Sequence, residues 1–310
     1  MNPRSVCKTV RRNLRRALRS VRFIVRHPLT HKNKAAGLWR YACFHLRHLI
    51  LPQASTYPWV GGLTLLAGRG SGGVAGNLYV GLADFEEMGF LLHFLRPEDL
   101  FVDVGANVGV YTLLASGVCK SKAIAIEPIP ATWKLLKEHL RINGLESLVE
   151  AYQVGIGSVP GTLFFTTDLG PLNRVATEAE VLRESEQVIP IPVITLDRLV
   201  RQRSVTCMKV DVEGYEAHVL AGAKETLSCE TLKAIVIELC YNERCDLEAV
   251  HAMLTGKGFQ PVRYDPFTRR FAPLKSFRRD QFNTLYVRDL GLVEQRVRDV
   301  PRVRVHGLEF

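Results

Sequence analysis

The sequence predicts an α/β protein with a doubly wound, mostly parallel sheet, and three observations support this fold class. Apolar strand-like runs alternate with amphipathic helical patterns from "LFVDVGA" to "DLEAVHAMLTGKG", which is typical of βαβ units. The strand runs are mainly apolar, as in strands covered by helices on both faces. The last two strand patterns, "FQPVRYDP" and "NTLYVRD", have no helix between them, which indicates an antiparallel edge strand.

The N-terminal extension is predicted to span residues 1–52 and to contain two helices. In the stretch 6–26, apolar residues recur at helical spacing and arginines fill the other face, which is typical of a basic amphipathic helix. Pro28 ends this helix, and a second helix is predicted around 35–50. Residues 53–96 are interpreted as short strands joined by glycine turns, followed by a helix that leads into the core.

The main domain is predicted to span residues 97–295, with a C-terminal tail at 296–310. Residues 158–195 interrupt its alternation with "TLFFTT" and "VIPIPVITL", which predict an inserted hairpin. The remaining elements are, in order, the strand "LFVDVGA", the helix "VYTLLASGV", the strand "AIAIEPI", the helix "ATWKLLKEHLRINGL", the strands "VEAYQVGIG" and "TCMKVDVEG", the helix "AHVLAGAKETL", the strand "AIVIELCY" and the helix "DLEAVHAMLTGKG".

The charge of the chain is unevenly distributed. The chain has 310 residues, 47% of them hydrophobic and 23% charged, which is ordinary for a globular protein that buries a large core. Its net charge of +10 arises near the N-terminus, because residues 1–83 hold 14 Lys or Arg and no acidic residue. An anionic membrane surface is therefore a candidate partner of this basic arm. The alternatives are packing on the acidic surface of the main domain and an organelle transit peptide.

The cysteine pattern favours a reducing compartment. The seven cysteines are an odd number and form no C-x-x-C pair, which argues against a zinc site and a disulfide framework. Cys240 and Cys245, which flank a predicted strand end, are interpreted as ordinary thiols. We see neither a transmembrane run of about 18 apolar residues nor the apolar region of a secretory signal. We therefore expect a cytoplasmic protein, with a peripheral position on the membrane as an option.

Acidic residues follow three of the predicted strands. In open α/β sheets the ligand lies beyond the carboxyl ends of the strands. These positions carry Asp103 with Gly105, Asn107 and Gly109 after the first strand, Glu127 after the second, and Asp211 with Glu213 after the fourth. One acidic residue there could simply cap the next helix, but three groups on one rim favour a ligand site. Glu238, at the end of "IVIEL", could line the same rim, and capping is its alternative role.

The first loop reads D-x-G-x-N-x-G and lacks both the dinucleotide fingerprint and a phosphate-binding loop. A carboxylate at the start of a loop repels phosphate, but it suits a ligand with positive charge or with hydroxyl and amine donors. One βαβ repeat later, Glu127 can accept two hydrogen bonds from ribose hydroxyls. S-adenosylmethionine, a sulfonium with a ribose and an amino-acid tail, meets these demands.

The chain resembles the FkbM family of class I S-adenosylmethionine-dependent methyltransferases over roughly residues 77–290. The matching pieces are "NLYVGLADFEEMGFLLHFLRPEDLFVDVGANVGVYTLLAS", "AIAIEPIPATWKLLKEHLRING", "VITLDRL", and "MKVDVEGYEAHVLAGAKETL" followed by "IVIEL", in the order of the family. The resemblance implies a Rossmann-like sheet of seven strands and methyl transfer to a hydroxyl oxygen. It also implies the acceptor, which is a small molecule or glycan: a sugar hydroxyl or a secondary metabolite.

The resemblance also assigns roles to the rim residues. The cofactor-binding set is Asp103, Gly105, Asn107, Gly109 and, at the ribose position, Glu127. Asp211 and then Glu213 are the candidates for the base or the substrate anchor, while an ion-pair network with Lys209 is the structural alternative. A hydroxyl needs help from a base or a metal, and dependence on a divalent metal is left open, with no metal ligands assigned.

One departure from the family pattern concerns the acceptor. Similar sequences tend to carry Asn-His-Val after the hairpin, and this chain has Asn173-Arg174-Val175. Arg174 stays protonated and cannot replace the histidine as a base. Asn173, Arg174 and Glu238 are therefore assigned to binding the substrate. His139, a histidine within a helical pattern, is not expected to take part in the chemistry.

Two other functions are considered. The first is a nicotinamide-dependent oxidoreductase on the same fold, and the missing third glycine of the fingerprint counts against it. The second is a catalytically silent protein that uses the basic arm to bind membrane or nucleic acid. Nucleic acid is disfavoured, because no aromatic residues are interleaved with a basic patch. The sequence does not indicate the oligomeric state.

Overall fold

The structure is a computed structural model that describes residues 3–51, 53–68, 71–182, 187–239 and 246–310, with side chains from residue 14 onward. The predicted strand end between Cys240 and Cys245 lies outside these residues. The chain divides into unit 1, Met1–Phe85 with Arg304–Glu309, and unit 2, Glu86–Val303 with Phe310. None of the helices in the described ranges combines the length and the apolar character that crossing a bilayer requires.

Unit 1 begins with two helices and a hairpin. Its elements are α1 (Pro3–Arg26), α2 (Lys34–Ile50), β1 (Ser55–Pro58), β2 (Thr64–Ala67) and α3 (Gly72–Val80). Pro28 starts a 3-10 turn after α1, and the side chain of Asn33 caps α2 by accepting a hydrogen bond from the Ala36 N–H at 3.0 Å.

Strand β2 agrees with the strands and glycine turns predicted for residues 59–80, but helix α3 corrects that interpretation from Gly72 onward. Its glycines suggested turns, but the segment is helical from Gly72 and buries Val74, Leu78 and Val80. Gly81, with a φ of 99°, ends the helix, as a glycine after a last turn commonly does. Tertiary burial of an apolar helix face has therefore overridden the local preference of glycine.

Unit 2 contains most of the regular structure. Its strands are β3 (Leu100–Val104), β4 (Lys122–Ile126), β5 (Val149–Tyr152), β6 (Gly155–Ile156), β7 (Gly161–Thr166), β8 (Val188–Ile194), β9 (Cys207–Val210), β10 (Ala234–Glu238), β11 (Gln260–Asp265), β12 (Arg270–Pro273) and β13 (Asn283–Val287). Its helices are α4 (Phe85–Phe94), α5 (Val110–Leu113), α6 (Pro130–Ile142), α7 (Glu178–Leu182), α8 (Leu196–Val200), α9 (Glu216–Ala221), α10 (Lys224–Ser228), α11 (Leu247–Gly256) and α12 (Leu290–Arg298). The short strands β14 (Arg304–Val305) and β15 (Leu308–Glu309) belong to unit 1.

The main sheet confirms the predicted α/β fold class. Among the described residues its strand order is β12-β11-β13-β10-β9-β3-β4-β5, and β10, β9, β3, β4 and β5 are parallel. The edge strand β12 is antiparallel to its neighbour, and β13 is a second antiparallel strand between β10 and β11. The register pairs Val104 with both Ile126 and Val210, so β3, β4 and β9 end at the same level.

The sheet has eight described strands instead of the seven expected, because the segment after β11 folds back as β12. The Asp265 carboxylate organises this turn by accepting from the Phe267 N–H at 3.0 Å and the Thr268 hydroxyl at 2.8 Å. Arg269 completes the turn with a φ of 57°. An aspartate that bonds the backbone two residues later is a common turn device, but it was not recognised in the sequence.

The segment 158–195 carries the antiparallel strands β7 and β8. They pair from Gly161 with Val193 to Thr166 with Val188, and β6 joins them in a three-stranded sheet. The core of unit 2 lies on the faces of the main sheet, where Met208 and Ile235 pack with Leu220 of α9.

A buried ion-pair network links α4 to the segment before β13. The Arg278 side chain is 3% exposed and pairs with Glu86 Oε2 at 2.5 Å, with Asp280 Oδ2 at 2.9 Å and with Glu87 Oε1 at 3.5 Å. Glu86 also receives Arg263 at 2.6 Å. Removal of one partner from such a network leaves a buried charge without compensation.

Candidate active site

The loop after β3 packs closely against its neighbours. Gly105, Asn107 and Gly109 all have left-handed backbone conformations, with φ of 79°, 51° and 88°. A Cβ atom on Gly105 would lie 1.8 Å from the carbonyl oxygen of Asp211, and one on Gly109 would lie 2.4 Å from Leu136 Cδ1. Both glycines are therefore required by contacts within the protein, and their contact with a ligand stays a prediction.

Asp103 connects β3 to the helix that follows it. Its Oδ2 accepts hydrogen bonds from the Thr112 hydroxyl at 2.6 Å and the Thr112 N–H at 3.1 Å. Burial raises the pKa of Asp103 to about 6, although these hydrogen bonds and the Lys209 ammonium oppose the shift. The structure thus realises the capping role that was the alternative for a carboxylate at this position.

Glu127 connects the end of β4 to the glycine loop. Its Oε2 accepts from the Asn107 N–H at 3.0 Å, and its Oε1 accepts from the Ile129 N–H at 2.9 Å. Each carboxylate oxygen can accept a further hydrogen bond, so two ribose hydroxyls remain possible partners. Burial raises the pKa of Glu127 to about 7, because it outweighs the stabilising backbone hydrogen bonds.

Asp211 and Glu238 form a proton-sharing pair beside Lys209. The Lys209 ammonium lies 2.9 Å from Asp211 Oδ2, and the side chains of the two residues are 4% and 30% exposed. Burial acts to raise the pKa of Asp211, but the Lys209 ammonium and the hydrogen bonds from Glu238 and Lys209 hold it below its ordinary value. Burial and the neighbouring Asp211 carboxylate raise the pKa of Glu238 well above its ordinary value. At neutral pH Asp211 is therefore ionised, and Glu238 keeps a proton that it donates to Asp211.

Glu213 completes a cluster of three carboxylates. Asp211, Glu213 and Glu238 each offer one oxygen, and these oxygens lie within 4.8 Å of one another. The buried Glu216 holds the turn that carries Glu213, since its Oε1 accepts from the Gly214 N–H at 3.0 Å and the Val212 N–H at 3.4 Å. Such a cluster can accept a proton from a hydroxyl, and its oxygen ligands suit Mg²⁺ or Mn²⁺. A metal ion would first have to displace the proton of Glu238.

Asn173 and Arg174, which were predicted to bind the methyl acceptor, interact with other residues of the insertion. The Arg174 guanidinium forms a two-point ion pair with Glu180 at 2.9 and 3.0 Å, and it lowers the pKa of Glu180 to about 2. Glu180 also caps α7, where its Oε2 accepts from the Thr177 N–H at 2.8 Å. Asn173 Oδ1 accepts from the Leu169 N–H at 3.0 Å. Roles for Asn173 and Arg174 toward an acceptor therefore stay predictions.

His139 is a positioning residue that the sequence analysis missed. It is buried on α6, and its Nδ1 hydrogen-bonds to the Val108 carbonyl oxygen at 2.8 Å. This contact holds the glycine loop at Val108, and the Asp211 carbonyl oxygen lies against the loop at Gly105. A histidine on a predicted apolar helix face was the available signal, but many such histidines only complete a core.

Comparison with known proteins finds one matching family model and several similar methyltransferases. The family model "Methyltransferase FkbM domain" matches residues 103–261. The chain is 28% identical over 185 residues to Methyltransferase 1 of Beauveria bassiana (strain ARSEF 2860), covering 53% of this chain and 73% of that protein. It is 28% identical over 152 residues to the hexuronic acid methyltransferase AglP of Haloferax volcanii, covering 48% of this chain and 59% of that protein.

Among solved structures, the chain is similar to a methyltransferase FkbM from Methylobacillus flagellatus KT. The TM-score is 0.45 and the sequence identity is 18%. The match covers 69% of this chain and 52% of that one. The chain therefore spans about half the length of this solved relative.

Proposed function

Because this chain belongs to the family of the methyltransferase FkbM domain, whose model matches residues 103–261, we propose that it methylates a hydroxyl oxygen of a sugar or glycan. The class of enzyme follows from the family and is an S-adenosylmethionine-dependent methyltransferase. The sugar acceptor is our proposal, supported by the similarity to a hexuronic acid methyltransferase. The family match also favours methyl transfer over the alternatives of a nicotinamide-dependent oxidoreductase and a silent binding protein.

The chemistry of the rim fits S-adenosylmethionine. Glu127 and the Asp211 turn offer carboxylate oxygens, which accept hydrogen bonds from hydroxyl and ammonium groups and attract a sulfonium. Lys209, a cation at this rim, is already paired with Asp211, so a phosphate would find no free partner in it. When bound, S-adenosylmethionine supplies a methyl group that is already activated by its positive sulfur. Glu127 would hold the ribose of S-adenosylmethionine. The loop from Gly105 to Gly109 would hold the remaining part of the molecule.

The observation that carries the proposal is the contact between the glycine loop and the Asp211 turn. The Gly105 backbone lies against the carbonyl oxygen of Asp211, so a molecule held by the loop lies beside the cluster of three carboxylates. Asp211 is ionised and can accept the proton of an acceptor hydroxyl as the oxygen becomes a nucleophile. Lys209 keeps Asp211 ionised, Glu238 donates to it, and Glu216 fixes the backbone of the turn. Glu213 is the second candidate for the base.

The test is a methyl-transfer assay on the full chain with purified S-adenosylmethionine. The acceptor panel contains uronic acids, neutral sugars, a glycan and a phenolic metabolite, and the products are S-adenosylhomocysteine and the methyl ether. We expect a uronic acid or a glycan to be methylated, and turnover to be lost in Asp211→Asn but retained in the exposed control Asp299→Asn. Methylation of the phenol alone would overturn the sugar acceptor. Calorimetric binding of NAD without binding of S-adenosylmethionine would overturn the methyltransferase function.

A further inference from the structure

Unit 1 contains a cavity that lies outside the candidate active site. Its volume is about 710 Å³, within the range of pockets that bind small molecules. The cavity is lined by α2, by β1 and the turn after it, and by the strand β14, and all of these lining elements belong to unit 1. The side chains that matter here are Arg40, Cys43, Arg47, Phe44, Tyr57 and Trp59.

Aromatic rings form the apolar part of the wall. Phe44 and Trp59 are buried. The Trp59 indole N–H donates to the Gly81 carbonyl oxygen at 2.6 Å, and the Tyr57 hydroxyl hydrogen-bonds to His48 Nε2 at 3.0 Å. Since the Trp59 N–H and the Tyr57 hydroxyl are hydrogen-bonded within the protein, these two rings offer mainly carbon surface to a ligand.

Two arginines make the cavity positive. Arg40 is half-buried and donates through Nε to the Tyr79 carbonyl oxygen at 2.8 Å, while the Arg47 guanidinium lies 5.9 Å from the centre of the Tyr57 ring. Neither arginine forms an ion pair with any residue that the structure describes. Arg304, a third arginine of the wall, is paired with Glu309 at 2.8 Å.

The absence of acidic residues in this segment of the sequence makes the positive charge of the cavity unusual. Residues 1–83 contain no Asp or Glu, whereas a partly buried cation in a protein is ordinarily paired with an anion. A guanidinium also matches phosphate and carboxylate groups through two parallel hydrogen bonds. The half-buried Arg40 therefore calls for an anionic group that comes from a ligand, and the exposed Arg47 of the same cavity wall can bind that group as well.

The neighbouring face of α2 is apolar and exposed. Trp39 and Leu46 are 70% and 59% exposed, and Leu49 and Ile50 are each 71% exposed. Ile50 follows Arg47 at i, i+3 and Leu46 precedes Ile50 at i, i+4, so the apolar residues Leu46 and Ile50 continue from Arg47 along the surface of α2. An apolar surface that continues from a positive, aromatic cavity suits a ligand with a charged head and a long apolar body better than it suits a compact polar anion.

We propose that this cavity binds an anionic amphiphile, whose phosphate or carboxylate head lies between Arg40 and Arg47 and whose apolar chain packs on the aromatic wall. The amphiphile is either a free molecule or a lipid of a bilayer, and the chemistry of recognition is the same. The proposal is independent of methyl transfer, so its failure would leave the function of the candidate active site untouched.

The test uses the full chain and dodecyl phosphate, below its micelle concentration, in a calorimetric titration. The controls are dodecyltrimethylammonium, which has the same chain and the opposite charge, and inorganic phosphate, which has the head alone. We expect saturable binding of dodecyl phosphate that is at least tenfold tighter than that of either control. Equal affinity for the two dodecyl compounds, or for inorganic phosphate, would overturn the proposal.

Variants connect this binding to the cavity. Arg40→Gln with Arg47→Gln removes two charge-assisted contacts and should weaken binding by roughly 100-fold. The control Arg198→Gln with Arg302→Gln removes the same charge from exposed positions of unit 2 and should leave the affinity near that of the parent. Cys43→Trp keeps the charge, fills the cavity and should also weaken binding. If the double variant does not fold, Arg47→Gln alone, at an exposed position, replaces it in the binding measurement.

A vesicle arm separates the two sources of the amphiphile. Vesicles of phosphatidylcholine with phosphatidic acid are compared with vesicles of phosphatidylcholine alone by sedimentation, and every chain in this arm carries Leu14→Gln and Leu18→Gln so that the exposed apolar residues of α1 do not contribute. Binding of dodecyl phosphate identifies a site for a free molecule. Binding only to the acidic vesicles, with loss in both Arg47→Gln and Cys43→Trp, identifies the headgroup of a bilayer lipid. If neither probe binds, or if these two folded variants bind like the parent, the proposal is wrong.

Discussion

Asp211→Asn separates the catalytic from the structural role of the rim carboxylate. The substitution keeps the shape of the side chain and removes the charge that lies 2.9 Å from the Lys209 ammonium. If Asp211 is the base, the methyl-transfer rate should fall by about 10²–10⁴, the usual contribution of a positioned base, while the affinity for S-adenosylmethionine changes little.

A cost in stability accompanies this change in rate. Lys209 is buried, and removal of one partner from a buried pair costs about 3–5 kcal/mol. The Asp211 side chain is 30% exposed, so solvent screens part of the interaction and a loss of about 1–3 kcal/mol is the better expectation. Urea unfolding measures this loss, and the rate must then be expressed per folded molecule.

Lys209→Met tests the role of Asp211 as the base through the pH dependence of the methyl-transfer rate. The Lys209 ammonium opposes the effect of burial on Asp211, so its removal should raise the pKa of Asp211. A base acts only when ionised, and activity is lost as the pH falls through its pKa. The acidic limb of the pH–rate profile should therefore move to higher pH in Lys209→Met. Parental turnover in folded Asp211→Asn, or an unmoved acidic limb in folded Lys209→Met, would refute Asp211 as the base.

Three further outcomes are expected. Glu127→Ala should weaken S-adenosylmethionine binding at least tenfold in calorimetry, because hydrogen bonds to a charged acceptor are worth about 1.5–3 kcal/mol each; undiminished affinity would reject the ribose role. Arg278→Met should lower the free energy of unfolding by about 3–5 kcal/mol, since it removes the ion pair of the buried Glu87 and leaves Glu86 with Arg263 alone; a urea midpoint near that of the parent would contradict this. We also propose that residues 1–27 bind an anionic membrane, because α1 exposes Leu14 (59%) and Leu18 (60%) among arginines. Replacement of both leucines by Gln should reduce sedimentation with acidic vesicles, and equal sedimentation would exclude this role of the helix.

The sequence correctly predicted those strands of unit 2 whose residues are mainly apolar along their whole length. β3, β4, β9 and β10 are mainly apolar, and every one of them is a mostly buried strand of the parallel part of the sheet. Because parallel strands end together, the positions of Asp103, Glu127, Asp211 and Glu238 on one rim followed from the chain order alone.

The parts that were missed depend on side-chain geometry that no spacing rule gives or on burial that overrides a local preference. The partner of Arg174 is Glu180, and only the geometry of the insertion shows that one carboxylate both pairs with this arginine and caps α7. His139 reaches the Val108 carbonyl across the space between α6 and the loop, and no spacing rule encodes that contact. Helix α3 was missed because the preference of glycine for turns was given more weight than burial.

The close contact between Gly105 and the Asp211 carbonyl has a genetic consequence. A methyl group at position 105 could be accommodated only if the Asp211–Glu216 turn moved, because the added atom would lie 1.8 Å from that carbonyl oxygen. Gly105→Ala should therefore damage turnover as well as cofactor affinity, although residue 105 itself performs no chemistry. Suppressors of this variant should arise within the turn, where a backbone shift can relieve the clash, and less often at cofactor contacts. We therefore expect a substitution at position 105 to be accompanied by a compensating substitution in the Asp211–Glu216 turn.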